Sequence, residues 1–119
     1  MAAQQAERHE LGRNGEAVAK QVLGGKTTKH KAPFDLIDFS AGYAYEVKTM
    51  TGWGKDNKIH IANASMARKQ AWAKEYNLKM VLVAVVIYSP DHVEVYQSEL
   101  KQSMRVRQMA LVEGGNHAN

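Results

Sequence analysis

The apolar positions of the chain fall into helical and alternating spacings that predict its elements before any chemistry is considered. Leu11, Gly15, Val18 and Val22 recur at three and four, which predicts a first helix over residues 3–23 ended by Gly24-Gly25. Gly12 and Gly15 each cost a helix about 1 kcal/mol relative to alanine. Close approach to a sheet or to a phosphate is the compensation to look for. Residues 34–39 are β-prone and apolar apart from Asp35 and Asp38. After the short link Ser40-Ala41-Gly42, residues 43–48 alternate, which predicts an antiparallel hairpin. Lys58 to Ala62 alternates as a third strand. Asn63 is placed to cap a second helix running to about Tyr76 and stopped by Asn77. On that helix Ala64, Ala67 and Ala71 form a thin packing face, and Trp72 and Tyr76 are assigned to the core.

Met80 to Tyr88 is apolar on both alternating sets, as a strand covered on both faces would be, and belongs in the centre of a sheet. A turn at Ser89-Pro90-Asp91-His92 leads to a half-exposed strand, Val93 to Tyr96. Beyond it, Ser98-Glu99-Leu100 suits the cap of a short helix, while Met104 to Gln108 alternates like a strand, and both readings stand. Residues 113–119 read as a flexible tail. The class is α/β (α+β): a mixed central sheet flanked by helices.

Composition narrows this further. At 119 residues the chain is expected to be one domain, 1–119, large enough for a core without covalent staples. The absence of cysteine excludes disulfides and thiolate zinc sites. No apolar run reaches membrane-spanning length, and Met1 to Glu10 is too polar for a signal sequence, so a cytoplasmic protein is expected. A phosphate-binding glycine loop is lacking, because Gly12-Arg13-Asn14-Gly15 is not followed by Lys-Ser/Thr. The histidines show no i, i+4 metal spacing, and His60 faces opposite the isoleucines that flank it.

Sixteen Lys and Arg against twelve Asp and Glu give a net charge of +4, which permits a polyanionic partner. Candidate nucleic-acid contacts are Lys29 and Lys31 in the basic loop 26–31, Lys55 and Lys58 after the hairpin, Arg68, Lys69 and Gln70 on the second helix, and Arg105 and Arg107, which alternation points the same way as a phosphate clamp. Trp53 between Gly52 and Gly54 either docks on the core or stacks on a base.

The candidate chemistry sits on the hairpin. In a strand over 43–48, Tyr43, Tyr45 and Val47 face one side and Ala44, Glu46 and Lys48 the other. The hairpin brings Asp35 towards Glu46, so two acids and a lysine meet. Two hard carboxylates suit Mg²⁺, which keeps waters and binds substrate phosphate. A neighbouring lysine can orient the attacking water or neutralise charge developing on the phosphoryl group. These residue types together point to phosphodiester hydrolysis.

Pro33-Phe34-Asp35 followed by Glu46-Val47-Lys48, with Glu16 on a helix upstream, resembles the PD-(D/E)XK nuclease superfamily, whose core order αβββαβ is matched over roughly residues 5–97. The resemblance implies a metal-dependent endodeoxyribonuclease. Asp35 and Glu46 would bind Mg²⁺, Mn²⁺ would substitute, and Lys48 would be the catalytic lysine. Glu16 would correspond to the helix acid that some branches add to the metal site, and Lys69 or Gln70 to a supporting polar residue on the second helix. The residue inserted between proline and acid departs from the usual motif and leaves Asp38 as the alternative to Asp35. A homodimer acting on DNA is implied for a small member of resolvase or phage type. A non-catalytic DNA-binding module and a phage structural component are the alternatives.

Overall fold

The computed structural model describes residues 15–22, 26–27, 32–52 and 54–113. Residues 3–14, Gly24-Gly25, Lys29, Lys31, Trp53 and 114–119 lie outside the described residues. Residues 15–22 are helical and form α1. The strands are β1 (Lys26–Thr27), β2 (Leu36–Asp38), β3 (Tyr43–Thr51), β4 (Lys58–His60), β5 (Lys79–Ser89), β6 (His92–Glu99), β7 (Ser103–Arg105) and β8 (Ala110–Glu113). Helix α2 is Asn63–Tyr76.

Six strands form one mixed sheet in the order β1-β2-β3-β5-β6-β8. β3 and β5 are parallel over nine residue pairs, from Tyr43 opposite Lys79 to Thr51 opposite Ile87. All other neighbours in the sheet are antiparallel. A parallel pair cannot be joined by a tight turn. α2 supplies the crossover. Leu82 to Val86 are all fully buried, so β5 is covered on both faces in the middle of the sheet, as its unbroken apolar run requires.

Each face has its own core. On one, Leu36, Tyr45, Val47, Val83, Val85 and Val95 pack with Ala19, Val18 and Val22 of α1. On the other, Ala44, Leu82, Ala84, Val86 and Tyr96 pack with Ala73, Met66 and Trp72 of α2 and with Ile59, Met104 and Val106. The expected division of 43–48 between two faces is therefore observed. So is the reason for glycine in α1: a Cβ on Gly15 would overlap the side chain of Thr49 in β3, so the helix lies directly on the strand.

Several expectations are corrected. The third strand of the sequence reading leaves the main sheet. β4 instead pairs with β7 as a separate antiparallel ribbon that buries Ile59 and Met104, and β1 completes the three sheet strands that precede α2. Ala64, Ala67 and Ala71 face solvent, because the wider side chains of Met66 and Trp72, with Ala73, fill the space under α2. Tyr76, beyond the sheet at the end of α2, is exposed and packs edge-on against Phe39. Asn63 is the first helical residue rather than the cap. Ala62 caps the helix without a side-chain bond, and the Asn63 amide oxygen accepts instead from Gln102. Ser98 and Glu99 extend β6, while the strand expected over 104–108 stops at Arg105 and continues as a 3-10 turn over Val106–Gln108. Glu113, expected in the tail, closes β8. Among the described residues no helix is long and apolar enough to cross a membrane.

The Gly15 contact predicts an inversion of helix propensity. Gly15→Ala gains roughly 1 kcal/mol of propensity but overpacks the helix–strand contact at a cost of about 1–3 kcal/mol. It should therefore destabilise the protein in urea denaturation, and in a Thr49→Gly background it should be neutral or stabilising. A Gly15→Ala protein more stable than wild type would mean that α1 does not lie this close to β3.

Candidate functional site

The β2–β3 hairpin sets the site by register. Leu36 is opposite Tyr45, Ile37 opposite Ala44 and Asp38 opposite Tyr43, so the residue before Leu36 comes level with Glu46. Asp35 N–H donates to the Tyr45 carbonyl at 3.0 Å, and Val47 N–H donates to Asp35 Oδ2 at 2.8 Å. These two bonds fix Asp35 where β2 begins, beside Glu46. Asp38 lies at the other end of β2, where its Oδ1 accepts from Ala41 N–H in the hairpin turn. The two aspartates are thus separated by role: Asp35 borders Glu46, and Asp38 holds the turn.

Glu46 is buried and stands between two ammonium groups. Lys48 Nζ lies 3.2 Å from Oε2, and Lys69 Nζ lies 3.0 Å from Oε1. Lys48 reaches Glu46 because i and i+2 share a strand face. Lys69 arrives from the crossover helix. It lies three residues after Met66 and four before Ala73, on the helix face turned to the sheet. Its side chain is 7% exposed against 42% for Lys48. Lys69 also donates to the Pro33 carbonyl and sits 5.3 Å from the Phe34 ring centroid. The same ammonium thus ties the residues just before Asp35 to Glu46.

Glu16 comes towards the site from α1, close enough for its carboxyl to help raise Asp35. Asp35 is raised from 3.8 to about 6, first by burial, then by the Glu46 charge, and further by Glu16, against the lowering effect of the Val47 N–H. Carboxyl groups from α1, the start of β2 and β3 are therefore crowded together, with the lysines gathered on Glu46 and none paired with Asp35 among the described salt bridges.

Among the described residues no three His, Cys, Asp or Glu side chains form a ready-made metal cage. Asp35 and Glu46 are a pair of hard oxygen donors, and a pair that leaves the remaining positions to water and substrate suits Mg²⁺. The raised Asp35 carboxyl supports the fit, since a divalent cation beside it would relieve the repulsion that holds it up.

The other candidates divide by position. Gln70 and Arg68 are exposed on α2, and on this helix Lys69 is the residue paired with Glu46. Lys55, Lys58, Arg105 and Arg107 are exposed around the β4–β7 ribbon. His60 is exposed there too, opposite Ser103. Lys29 and Lys31 lie outside the described residues. The burial of Lys69 was the least legible feature, because its neighbours Arg68 and Gln70 make that turn read as solvated. The available signal was its spacing from Met66 and Ala73. Set against family models, curated proteins and solved structures, the chain matches none of them.

The two lysines should respond differently to truncation. Lys69→Ala leaves a buried carboxylate short of a cation and should cost about 3 kcal/mol or more. Lys48→Ala removes a half-exposed partner and should cost less than about 1 kcal/mol. Urea denaturation of both variants checks this, and equal losses would mean that Lys69 is not buried against Glu46.

Asp35 predicts a pH-dependent stability gain on neutralisation. Below 3.8 the carboxyl is protonated in both folded and unfolded chains and contributes nothing. Between 3.8 and about 6 the unfolded chain ionises while the folded one resists, so a penalty on folding grows, and it is complete above about 6. Asp35→Asn keeps an acceptor for Val47 N–H and removes the charge. In EDTA it should be more stable than wild type at mildly alkaline pH, by on the order of 1 kcal/mol once solvent screening is allowed for, and no different below the unfolded value. Added Mg²⁺ should stabilise wild type more than the variant. Thermal melts across this range check it, and a gap that ignores pH would show that the Asp35 charge is not its cause.

Proposed function

We propose that the protein is a metal-dependent phosphodiester hydrolase acting on DNA, with its centre at Asp35, Glu46 and Lys48. The observation that carries this reading is that three separate elements aim acids and lysines at one point on the hairpin, at the cost of crowding charge around Asp35. A fold needs no such crowding for stability, and functional sites are where it is found. The resemblance to PD-(D/E)XK nucleases supports the same assignment. So does the order of elements about the main sheet: α1, three strands, α2, then a strand parallel to β3.

Each residue has a separable task. Asp35 and Glu46 present the oxygens that would hold Mg²⁺ or Mn²⁺. The chemistry supplied by the ion when bound is polarisation of the phosphoryl oxygen and acidification of the attacking water. Lys48 is the cation with solvent access, so it can meet a phosphate oxygen or orient the water as charge develops. Lys69 is a positioning residue: buried, it holds the Glu46 carboxylate and the Pro33 carbonyl in place. Glu16 adds, beside Asp35, to the negative charge that favours a cation.

The test is cleavage of supercoiled plasmid and of a four-way junction, side by side, in Mg²⁺, Mn²⁺ or EDTA. Metal-dependent cutting is expected from wild type. Lys48→Ala, Glu46→Gln and Asp35→Asn should each lose about a hundredfold or more while remaining folded, and Asp38→Asn should keep its activity. Binding of both substrates without cutting under any metal would overturn the hydrolase reading in favour of a DNA-binding module. Equal loss from the two aspartates would overturn the division of roles between them.

A further inference from the structure

The β4–β7 ribbon carries charge that the hydrolytic centre does not use. Ile59 and Met104 point into the core cluster that also holds Ala44, Leu82, Ala84 and Val86, so the ribbon lies on the sheet face from which Glu46 and Lys48 project. Its outward positions place Lys58 directly opposite Arg105. Like charges at opposed strand positions are destabilising, and here the crowding is increased by Arg107 and Lys55, both exposed in the adjoining 3-10 turns. Two of these cations, Arg105 and Arg107, meet at Asp56. Arg105 Nη1 donates to the Asp56 carbonyl at 3.0 Å, and Arg107 pairs with the Asp56 carboxylate. Both members of that ion pair are more than half exposed, at 57% and 58%. Such a pair is worth little in water and exchanges readily.

From this geometry we propose that the ribbon is a docking rail for the phosphate backbone of duplex DNA, and that the Asp56 carboxylate occupies Arg107 in the free protein as an internal stand-in for a phosphate. The choice of DNA rests on the hydrolase reading. The cationic rail itself is drawn from the ribbon alone. Two planar guanidinium groups meet at one residue, Arg105 on its backbone carbonyl and Arg107 on its carboxylate, and so are gathered for phosphate oxygens, which a guanidinium can take in pairs. A backbone phosphate carries the charge of the Asp56 carboxylate on two non-bridging oxygens, so it can displace the carboxylate from Arg107 with few bonds lost. Because the ribbon and Lys48 share a face, a duplex seated on the rail extends along the surface that bears the hydrolytic centre.

The experiment is the affinity of the full chain for a labelled duplex oligonucleotide in EDTA, titrated with salt, with plasmid cleavage in Mg²⁺ run in parallel. The Arg105→Gln/Arg107→Gln protein should bind more weakly, with a log–log salt slope shallower by up to about 2. Asp56→Asn should bind roughly two- to fivefold tighter at low salt. Lys74→Gln/Lys79→Gln removes the same charge at other exposed positions and should keep a slope near that of wild type. Circular dichroism melts confirm that each variant is folded. If wild type cuts DNA while the arginine and Asp56 variants bind as it does, the rail is overturned and the hydrolase stands. If binding depends on the ribbon as expected but nothing is cut, the rail stands and the hydrolase reading falls. Weaker binding by Asp56→Asn would show that Asp56 supports the rail rather than occupying it, and would overturn the stand-in role.

Discussion

The parallel pairing of β3 with β5 is the constraint from which the rest of the architecture follows. Parallel neighbours need a crossover, and this chain makes it with α2. Once β5 is fixed beside β3, α2 must return across the face that carries Ala44, Glu46 and Lys48, and the helix residue turned to that face comes to stand over Glu46. Lys69 is that residue. The opposite face is closed by α1, whose Gly15 allows a backbone-close approach at Thr49 and so brings Glu16 to Asp35. The candidate centre is in this sense a product of sheet topology: the β2–β3 hairpin supplies Asp35, Glu46 and Lys48, and each covering helix adds one group.

What could be read from the chain beforehand was whatever depends on local periodicity. The two faces of β3 follow from alternation, and the central place of β5 from an unbroken apolar run. The meeting of Asp35 with Glu46 follows from a link too short for anything but a hairpin. What could not be read depends on partners distant in sequence. β4 alternates as well as any sheet strand, yet it pairs with β7, more than forty residues on, because burying Ile59 against Met104 competes successfully with joining the main sheet. The alanines of α2 form an apolar stripe in sequence, but alanine is as much a helix former as a core residue. The larger side chains of Met66 and Trp72 decide which way the helix turns. Lys69 follows from that rotation, which is why a lysine among polar neighbours is buried. At the hairpin, spacing could not choose between Asp35 and Asp38, but register does: the end of β2 nearer the turn spends its carboxylate on Ala41 N–H.

Charge is distributed unevenly about the centre, and the imbalance has a direction. Glu46 is overprovided with cations, one buried and one half-exposed. Asp35 sits between Glu46 and Glu16, and its ionisation is held back until about 6. A site built for stability would share its lysines between the carboxylates. Keeping both on Glu46 leaves the Asp35 side negative and in want of a cation, while Lys48 keeps access to whatever approaches. On the proposed reading, a site of this kind lowers the stability of the protein alone and would return that free energy on binding a cation.

Burial decides how the two cationic systems of the molecule differ. Lys69 is desolvated on Glu46, Pro33 and Phe34, and removing it from those partners would strand a charge in the interior, so its bonds are permanent features of the fold. Arg107 pairs with the Asp56 carboxylate and Arg105 bonds its carbonyl at an exposed surface, where an ion pair is worth little. The first system can hold a carboxylate still through a reaction, and the second can exchange partners without unfolding anything. On the proposed reading, a chain that bound and cut a polyanion would need the two kinds apart. Here they lie on one face of one sheet, separated by the difference between a crossover helix packed against the strands and a ribbon whose outer side is left to water.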